Sequence, residues 1–163
     1  NIALIDDATP VLGVVHVPVQ ATTYLGGDKA KKITKDEETT LSCPDVGVDE
    51  AVVAVSKSHP DEALDDFLAE LRVKGLRGVG SSLKGCYVAD GETHMYPRFQ
   101  NLNSWDIAAM HGVIKASSCT MTTGDGDQLR YEPGKEAMPG FLVAPPSLHG
   151  DVLDRYQDWD GHP

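Results

Sequence analysis

Basic residues are scarce in this sequence, and the scarcity limits the partners that it can bind. Its 163 residues include 14 Lys and Arg against 25 Asp and Glu, for a formal net charge of −11 at pH 7. A nucleic acid polymer needs a basic surface that neutralises its phosphates, so we do not expect such a partner. One local basic pocket for a small anionic ligand stays compatible with this composition.

Long apolar runs and the motifs of zinc and serine hydrolases are absent as well. No run approaches the roughly 18 apolar residues of a membrane-spanning helix, so we expect no transmembrane segment. The six histidines show no His-Glu-x-x-His spacing, and neither Cys-x-x-Cys nor Gly-x-Ser-x-Gly occurs. These absences argue against a zinc hydrolase and against an α/β-hydrolase.

Cysteine is also rare. The three cysteines, Cys43, Cys86 and Cys119, are odd in number and far apart along the chain. We interpret them as buried free thiols in a reducing compartment, which agrees with a cytoplasmic location.

The order of strand and helix patterns predicts an α/β fold. Short β-rich runs indicate strands at 2–5, 11–17 and 22–25. The polar stretch 28–50 is expected to be a solvated connection or an edge strand. An apolar run at 51–55 then predicts a strand that is covered on both faces.

Helices and strands alternate after this run. Apolar residues at helical spacing predict an amphipathic helix that starts at Pro60 and ends at Gly75. These residues are Leu64, Phe67, Leu68 and Leu71. Further strands are expected at 76–79, 93–96, 119–122 and 140–144. Such an alternation implies right-handed crossovers and a largely parallel sheet.

Three regions are expected along the chain. Residues 1–50 are interpreted as the remnant of an amino-terminal sheet plus a connection, and 51–146 as a carboxy-terminal α/β domain. Residues 147–163 are expected to be an acidic, mobile tail. Because the initial strands leave exposed edges, we expect them to pair with a missing amino-terminal segment or with a second copy of the chain.

Two segments at predicted strand ends contain polar residues that suit an anion. In the first, Ser58 and His59 precede a helix whose free N–H groups attract negative charge. In the second, Ser81, Ser82 and Lys84 follow a Gly-Val-Gly turn that lets the backbone approach a ligand. Each segment has a structural alternative. In the first, Ser58 only caps the helix and His59 is a surface residue, and in the second a serine only caps the helix.

A third segment supplies an arginine and an aspartate. Arg98 has the planar fork that binds phosphate bidentately. Asp106 lies near the start of a helix that Ser104 can cap. A carboxylate at that place either interacts with the helix dipole or binds Mg²⁺.

Taken in this order, the three segments resemble the CysQ-type 3'(2'),5'-bisphosphate nucleotidases of the inositol monophosphatase superfamily. The resemblance runs from residue 1 to residue 146 and is most specific in four motifs. They are Ser56-Lys57-Ser58-His59, Gly80-Ser81-Ser82-Leu83-Lys84, Tyr96-Pro97-Arg98-Phe99 and Trp105-Asp106-Ile107-Ala108-Ala109. The last motif marks the superfamily, and the other three favour the nucleotidases over the inositol monophosphatases, which are the related alternative.

The resemblance implies a layered sheet and helix architecture and a Mg²⁺-dependent phosphomonoesterase. The expected reaction is the hydrolysis of adenosine 3',5'-bisphosphate to AMP and phosphate, in sulfate assimilation. Asp106 matches the family's carboxy-terminal metal ligand. The residues that the resemblance assigns to substrate binding are Ser58, His59, Ser81, Ser82, Lys84 and Arg98.

The same resemblance implies that the chain is incomplete as a catalyst. Family members take most of their metal carboxylates from an amino-terminal part with a Glu-Glu motif and an Asp-Pro-Leu-Asp-Gly-Thr motif, which we expect to lie outside this chain. We therefore expect the carboxy-terminal portion of a nucleotidase, inactive by itself. Residues 100–102, Met110 and residues 117–118 depart from the family pattern. The departures at residues 100–102 and at Met110 favour an alternative, a degenerate and non-catalytic nucleotide-binding or interaction module.

Overall fold

The computed structural model of the protein describes residues 1–57 and 61–161, and its first five strands form one antiparallel sheet. They are β1 (Ile2–Asp6), β2 (Thr9–Val17), β3 (Thr22–Gly26), β4 (Ala30–Ile33) and β5 (Glu38–Leu41). The first three confirm the predicted strands. The polar stretch beyond residue 28 was predicted less well, because it provides an internal strand, β4, as well as the edge strand β5. Lysines are accommodated in this strand because they form ion pairs with acidic side chains. The Nζ of Lys31, for example, lies 2.6 Å from Oε1 of Glu38.

The rest of the described chain forms a second layer of strands and four helices. The strands are β6 (Val52–Ser56), β7 (Gly75–Val79), β8 (Tyr96–Arg98), β9 (Leu102–Asn103), β10 (Thr120–Thr123), β11 (Ala137–Met138) and β12 (Phe141–Ala144). The helices are α1 (Glu62–Leu71), α2 (Leu83–Ala89), α3 (Ser104–Ala116) and α4 (Pro146–Gln157). None of the helices in the described ranges is long and apolar enough to cross a membrane.

The second layer is a mixed sheet, and the prediction of a largely parallel sheet was wrong for half of it. β6 and β7 are parallel, and Met95, just before β8, pairs with Val53 in the parallel sense. β12, however, lies between β8 and β10 and is antiparallel to both. The helical crossover through α3 keeps β8 and β10 parallel to each other, as expected, but the last strand returns between them.

Helices cover both faces of this second sheet. In β12, Phe141 and Val143 pack in a core with residues of α2 and α3, whereas Leu142 and Ala144 pack with α1 and α4. All four residues are buried. The helix α3 also covers the inner face of the five-stranded sheet and so lies between the two sheets.

The four apolar residues predicted to line one face of α1 are all buried, which confirms the amphipathic helix. The helix ends earlier than predicted, because Arg72 adopts a left-handed conformation (φ 56°) and Gly75 already belongs to β7. The predicted start at Pro60 lies outside the described residues. In the described part, Asp61 caps the helix and accepts a hydrogen bond from the N–H of Leu64 at 3.3 Å.

The expectation of a mobile acidic tail after residue 146 was wrong. The chain continues as α4, and Leu148, Val152 and Trp159 are all buried against α1 and the second sheet. Proline at the first helical turn suits the start of this helix. Leu148 and Val152 are spaced at i and i+4 in this helix, a pattern that the many aspartates of this segment obscure in the sequence.

The prediction of three free cysteines also needs correction. Cys43, after β5, and Cys119, before β10, form a disulfide with their Cα atoms 5.2 Å apart, and only Cys86 is a free, buried thiol. The backbone N–H of Cys43 donates to the carbonyl of Ser117 at 2.9 Å, which brings the two segments together. At a sequence separation of 76, the sequence offered no sign of this proximity.

Candidate functional site

A cavity of about 310 Å³ opens where β6, β7 and β8 end. Its described lining residues are Ser56, Lys57, Gly80, Ser81, Lys84, Tyr96, Arg98, Leu102 and Asp106. The carboxyl ends of parallel strands meet at one edge of a sheet, so segments that are far apart in sequence converge there. Four of the predicted site residues line this cavity, namely Ser81, Lys84, Arg98 and Asp106.

Lys84 is a buried cation, with only 6% of its surface exposed. Its Nζ donates to the carbonyl of Ser81 at 3.1 Å and lies 5.0 Å from the centre of the Tyr96 ring. Burial lowers the pKa of Lys84 to about 8, the positive charge of Arg98 acts in the same direction, and Asp106 opposes them. A buried charge is costly unless a partner compensates it, so this cavity favours an anionic ligand.

Arg98 reaches the same cavity from the end of β8. Its Nη2 donates to Oε1 of Gln100 at 3.0 Å. Its Nε is buried and has no hydrogen-bond partner among the residues that the structure describes. A buried donor without a partner costs about 1–3 kcal/mol, so the guanidinium favours an acceptor such as a phosphate oxygen.

Asp106 stands in the first turn of α3. The residue at the cap position of this helix is Asn103, whereas Ser104 was predicted to be the cap. The backbone N–H of Asn103 donates to Oδ2 of Asp106 at 3.4 Å. No group of three or more His, Cys, Asp or Glu side chains that suits a metal ion occurs within residues 1–57 and 61–161. Mg²⁺ binds through carboxylates and waters, so these residues alone do not fit the multi-metal site that the family resemblance implies.

The Glu-Glu pair that the sequence does contain does not fill this gap. Glu37 and Glu38 lie in the β4–β5 hairpin, where Glu38 pairs with Lys31 and Glu37 accepts from Thr39. Neither of them lines the cavity.

Ser82 is a predicted site residue that is not among the described residues lining the cavity. The hydroxyl of Ser82 is buried, donates to the carbonyl of Asp106 at 2.8 Å and accepts from Asn1, so it ties α2 to α3. Ser58 and His59 lie outside the described residues, so their assignment stays a prediction. The alternative in which a serine caps α2 is only partly met. Ser82 occupies the cap position, but its side chain makes no capping hydrogen bond.

The cavity also contains residues that were not predicted to belong to the site. Tyr96 is buried, which raises its pKa and keeps it a neutral phenol. Tyr96 and Lys57 stand in the quoted motifs and could have been selected from them. Leu102 enters the cavity because β9 pairs with β11, and the sequence carries no signal for that pairing.

The departure at Met110 is accommodated by packing. Met110 is fully buried in α3, and a Cβ added to Gly85 of α2 would come within 2.7 Å of the Met110 sulfur. The missing side chain at Gly85 therefore provides the room for Met110 between the two helices.

The mixed sheet, the flanking helices and this cavity agree with one known family. The sequence profile of the inositol monophosphatase family matches residues 1–156, and the chain belongs to that family. This assignment confirms the family resemblance and the layered α/β architecture expected from the sequence.

Named relatives include the 3'(2'),5'-bisphosphate nucleotidase CysQ of Escherichia coli K12. It is 38% identical over 146 residues, which cover 88% of this chain and 58% of that protein. The CysQ of Buchnera aphidicola is 35% identical and is covered to 49% of its length. The chain thus spans about half the length of these relatives.

Solved structures of inositol monophosphatase family members share the fold of this chain. The crystal structure of CysQ from Bacteroides thetaiotaomicron matches with a TM-score of 0.75 and 28% identity, over 88% of this chain and 60% of that one. Inositol monophosphatase-II from Staphylococcus aureus matches with a TM-score of 0.78, over 96% of this chain and 58% of that one. At 18% identity, the second match supports the fold alone.

Proposed function

We propose that this chain is part of a Mg²⁺-dependent phosphomonoesterase that hydrolyses adenosine 3',5'-bisphosphate to AMP and phosphate in sulfate assimilation. The observation that carries the proposal is the convergence of Lys84, Arg98 and Asp106 in one cavity. The relatives that are named as bisphosphate nucleotidases support the choice of substrate.

The two cations have distinct roles in this proposal. The guanidinium of Arg98 binds a phosphate group of the nucleotide with its planar fork. Lys84 supplies a positive charge from inside the cavity, and the carbonyl of Ser81 and the Tyr96 ring hold the ammonium in place. Ser81 contributes a backbone group and a hydroxyl to the cavity. Asp106 is the residue that would bind a metal ion.

We further propose that the chain is catalytically silent by itself. Asp106 is the one carboxylate among the described residues that line the cavity, and a multi-Mg²⁺ site needs several. The missing ligands would come from a segment equivalent to the part of the relatives that this chain does not cover.

The outer face of the five-stranded sheet is a second reason to propose a covering partner. Ile2 and Leu4 on β1 and Val11 on β2 are 68%, 58% and 45% exposed. An apolar sheet face of this kind is stabilised when another layer covers it. We propose that the covering layer is the equivalent of the missing amino-terminal segment, with a second copy of the chain as the alternative.

Calorimetric titration of the chain with adenosine 3',5'-bisphosphate, followed by a phosphate-release assay with Mg²⁺, tests these proposals. We expect binding that Arg98→Ala weakens by about tenfold, the equivalent of 1.4 kcal/mol. We expect weaker binding of inositol 1-phosphate and no release of phosphate. Stronger binding of inositol 1-phosphate would favour an inositol monophosphatase, and release of phosphate would refute the silence of the chain.

The absence of a metal cluster among the described residues favours a second candidate function, a non-catalytic nucleotide-binding or interaction module. The two candidates differ in their response to metal. A half-site of a metal enzyme should bind the nucleotide more tightly with Mg²⁺, and Asp106→Asn should remove that gain. Binding that is indifferent to both changes would support the non-catalytic module.

A further inference from the structure

We infer that Trp159, beyond the end of α4, is a positioning residue that acts on Arg98 through an aromatic cluster. The cluster consists of Phe67, Phe99, Tyr156 and Trp159. Trp159 lies outside the residues that match the family profile. The inference rests on the proposed function, because it takes Arg98 as a ligand-binding residue.

The cluster surrounds the residue that follows Arg98 in the chain. The ring of Phe99 lies 4.8 Å from that of Tyr156, 5.7 Å from Phe67 and 6.0 Å from Trp159, between centroids. Phe67 and Trp159 also contact each other at 5.3 Å. Phe99 is therefore held by α1 on one side and by α4 and the residues after it on the other.

Trp159 is tied to α1 by a polar contact as well. Its indole N–H donates to Oε1 of Glu70 at 3.1 Å, and its side chain is buried. This bond fixes the chain beyond α4 against α1. Together with the ring contacts, it closes the aromatic cluster around Phe99.

The backbone of Arg98 and Phe99 is confined from another direction by β12. A Cβ added to Gly140 would come within 2.6 Å of the Arg98 carbonyl and 2.7 Å of the Phe99 carbonyl. The main chain at the end of β8 thus lies against the backbone at Gly140, while the aromatic cluster holds the Phe99 side chain.

Arg98 depends on this confinement because its side chain has little else to orient it. The hydrogen bond from its guanidinium goes to Gln100, which is only two residues away and belongs to the same segment. Arg98 lines both the candidate site and a second cavity of about 390 Å³, whose lining includes Phe67, Phe99 and Tyr156. Loss of the Trp159 ring would let Phe99 shift, and the guanidinium would lose its fixed direction.

The first test observes Arg98 without any ligand. The Nε–Hε signal of Arg98 in a nitrogen–proton NMR spectrum is assigned by its loss in Arg98→Ala. We expect this signal to shift and broaden in Trp159→Ala and to return in Trp159→Phe, which keeps an aromatic ring. Leu148→Ala is the matched control, because it removes a buried apolar side chain of α4 that is not one of the four rings of the cluster.

The second test is a double-mutant cycle on the affinity for adenosine 3',5'-bisphosphate. We expect Trp159→Ala to weaken binding about fivefold when Arg98 is present and less than about twofold in the Arg98→Ala background. If Trp159→Ala does not fold, Trp159→Leu takes its place.

The outcomes separate the inference from the proposed function. An unchanged Arg98 signal in the folded Trp159 variant would overturn the inference, as would an equal loss of affinity with and without Arg98. If the unsubstituted chain binds no nucleotide, the proposed function fails, and the NMR comparison still decides whether Trp159 positions Arg98.

Discussion

The two sheets of this protein differ in how completely they are covered. The strand β12 of the mixed sheet is buried along its whole length, between α2 and α3 on one face and α1 and α4 on the other. The five-stranded sheet packs one face on α3 and exposes apolar residues such as Leu4 on the other. The candidate site lies at the edge of the mixed sheet, where this chain provides the surrounding layers. The amino-terminal sheet is the region for which we propose a covering partner.

The largest effect is expected at the contact between the five-stranded sheet and α3. A Cβ added to Gly26 would overlap the backbone of Gly112, whereas a Cβ on the neighbouring Gly27 would meet nothing within 4 Å. Gly26→Ala should therefore lower the free energy of unfolding by at least about 3 kcal/mol. Gly27→Ala is the control and should stay within about 0.5 kcal/mol of the parent chain. Urea unfolding of both variants measures this difference, and equal stabilities would contradict the close packing.

The second largest effect concerns the disulfide that links the two sheets. Cys43→Ser should cost about 3 kcal/mol of unfolding free energy, because the bond closes a loop with a sequence separation of 76 residues. Unfolding in urea with and without a reductant measures the contribution. The reductant should destabilise the parent chain by a similar amount and leave Cys43→Ser unchanged. If the reductant does not alter the parent chain, the two cysteines are free thiols, as the sequence had indicated.

A third comparison uses two valines of the same strand. Val15 of β2 is 4% exposed on the face toward α3, whereas Val11 is 45% exposed. Val15→Ser should lower the unfolding free energy by about 2 kcal/mol, and Val11→Ser by less than about 0.5 kcal/mol. A partner that covers the outer face would increase the cost of Val11→Ser. Equal costs in the chain alone would mean that the outer face is already covered, for instance by a second copy.

The smallest effect is expected from the buried charge in the mixed layer. The pKa of Lys84 is lowered to about 8, so its positive charge is lost as the pH rises through that value. Affinity for adenosine 3',5'-bisphosphate should fall by up to about tenfold between pH 7 and pH 9. Lys84→Gln should bind weakly at pH 7 and vary little over this range. A parent chain whose affinity does not change between these pH values would contradict the lowered pKa.

The same shift has a consequence for stability. Between pH 8 and the ordinary lysine pKa of 10.5, the unfolded chain binds a proton at this position that the folded chain has released. The contribution of Lys84 to the unfolding free energy therefore rises with pH over this window. Lys84→Gln should remove that rise when unfolding is followed at several pH values.

Much of the local structure could be predicted because it depends on residues close in sequence. The helical spacing of Leu64, Phe67, Leu68 and Leu71 suffices to define the buried face of α1. The order of the motifs also indicated that Ser81, Lys84, Arg98 and Asp106 lie near one another, and they line one cavity, since residues after parallel strands meet at the same edge.

The errors arose where distant segments decide the outcome. β12 enters between β8 and β10 although nothing in its sequence indicates an antiparallel partner on each side. The sequence also carried no sign that the Ser82 hydroxyl donates to the carbonyl of Asp106 and links α2 to α3, and its role in substrate binding stays a prediction.

The family, the elements with clear periodicity and the residue types that favour an anionic ligand could all be inferred from the amino-acid sequence. Each of these depends on local pattern and composition, which are independent of how the chain is arranged in space. The folded chain was needed to show that Cys43 meets Cys119, that Trp159 closes an aromatic cluster behind Arg98 and that Lys84 is buried. Such features require residues from separate segments to pack together, and the energy of packing depends on proximity that a linear sequence does not display.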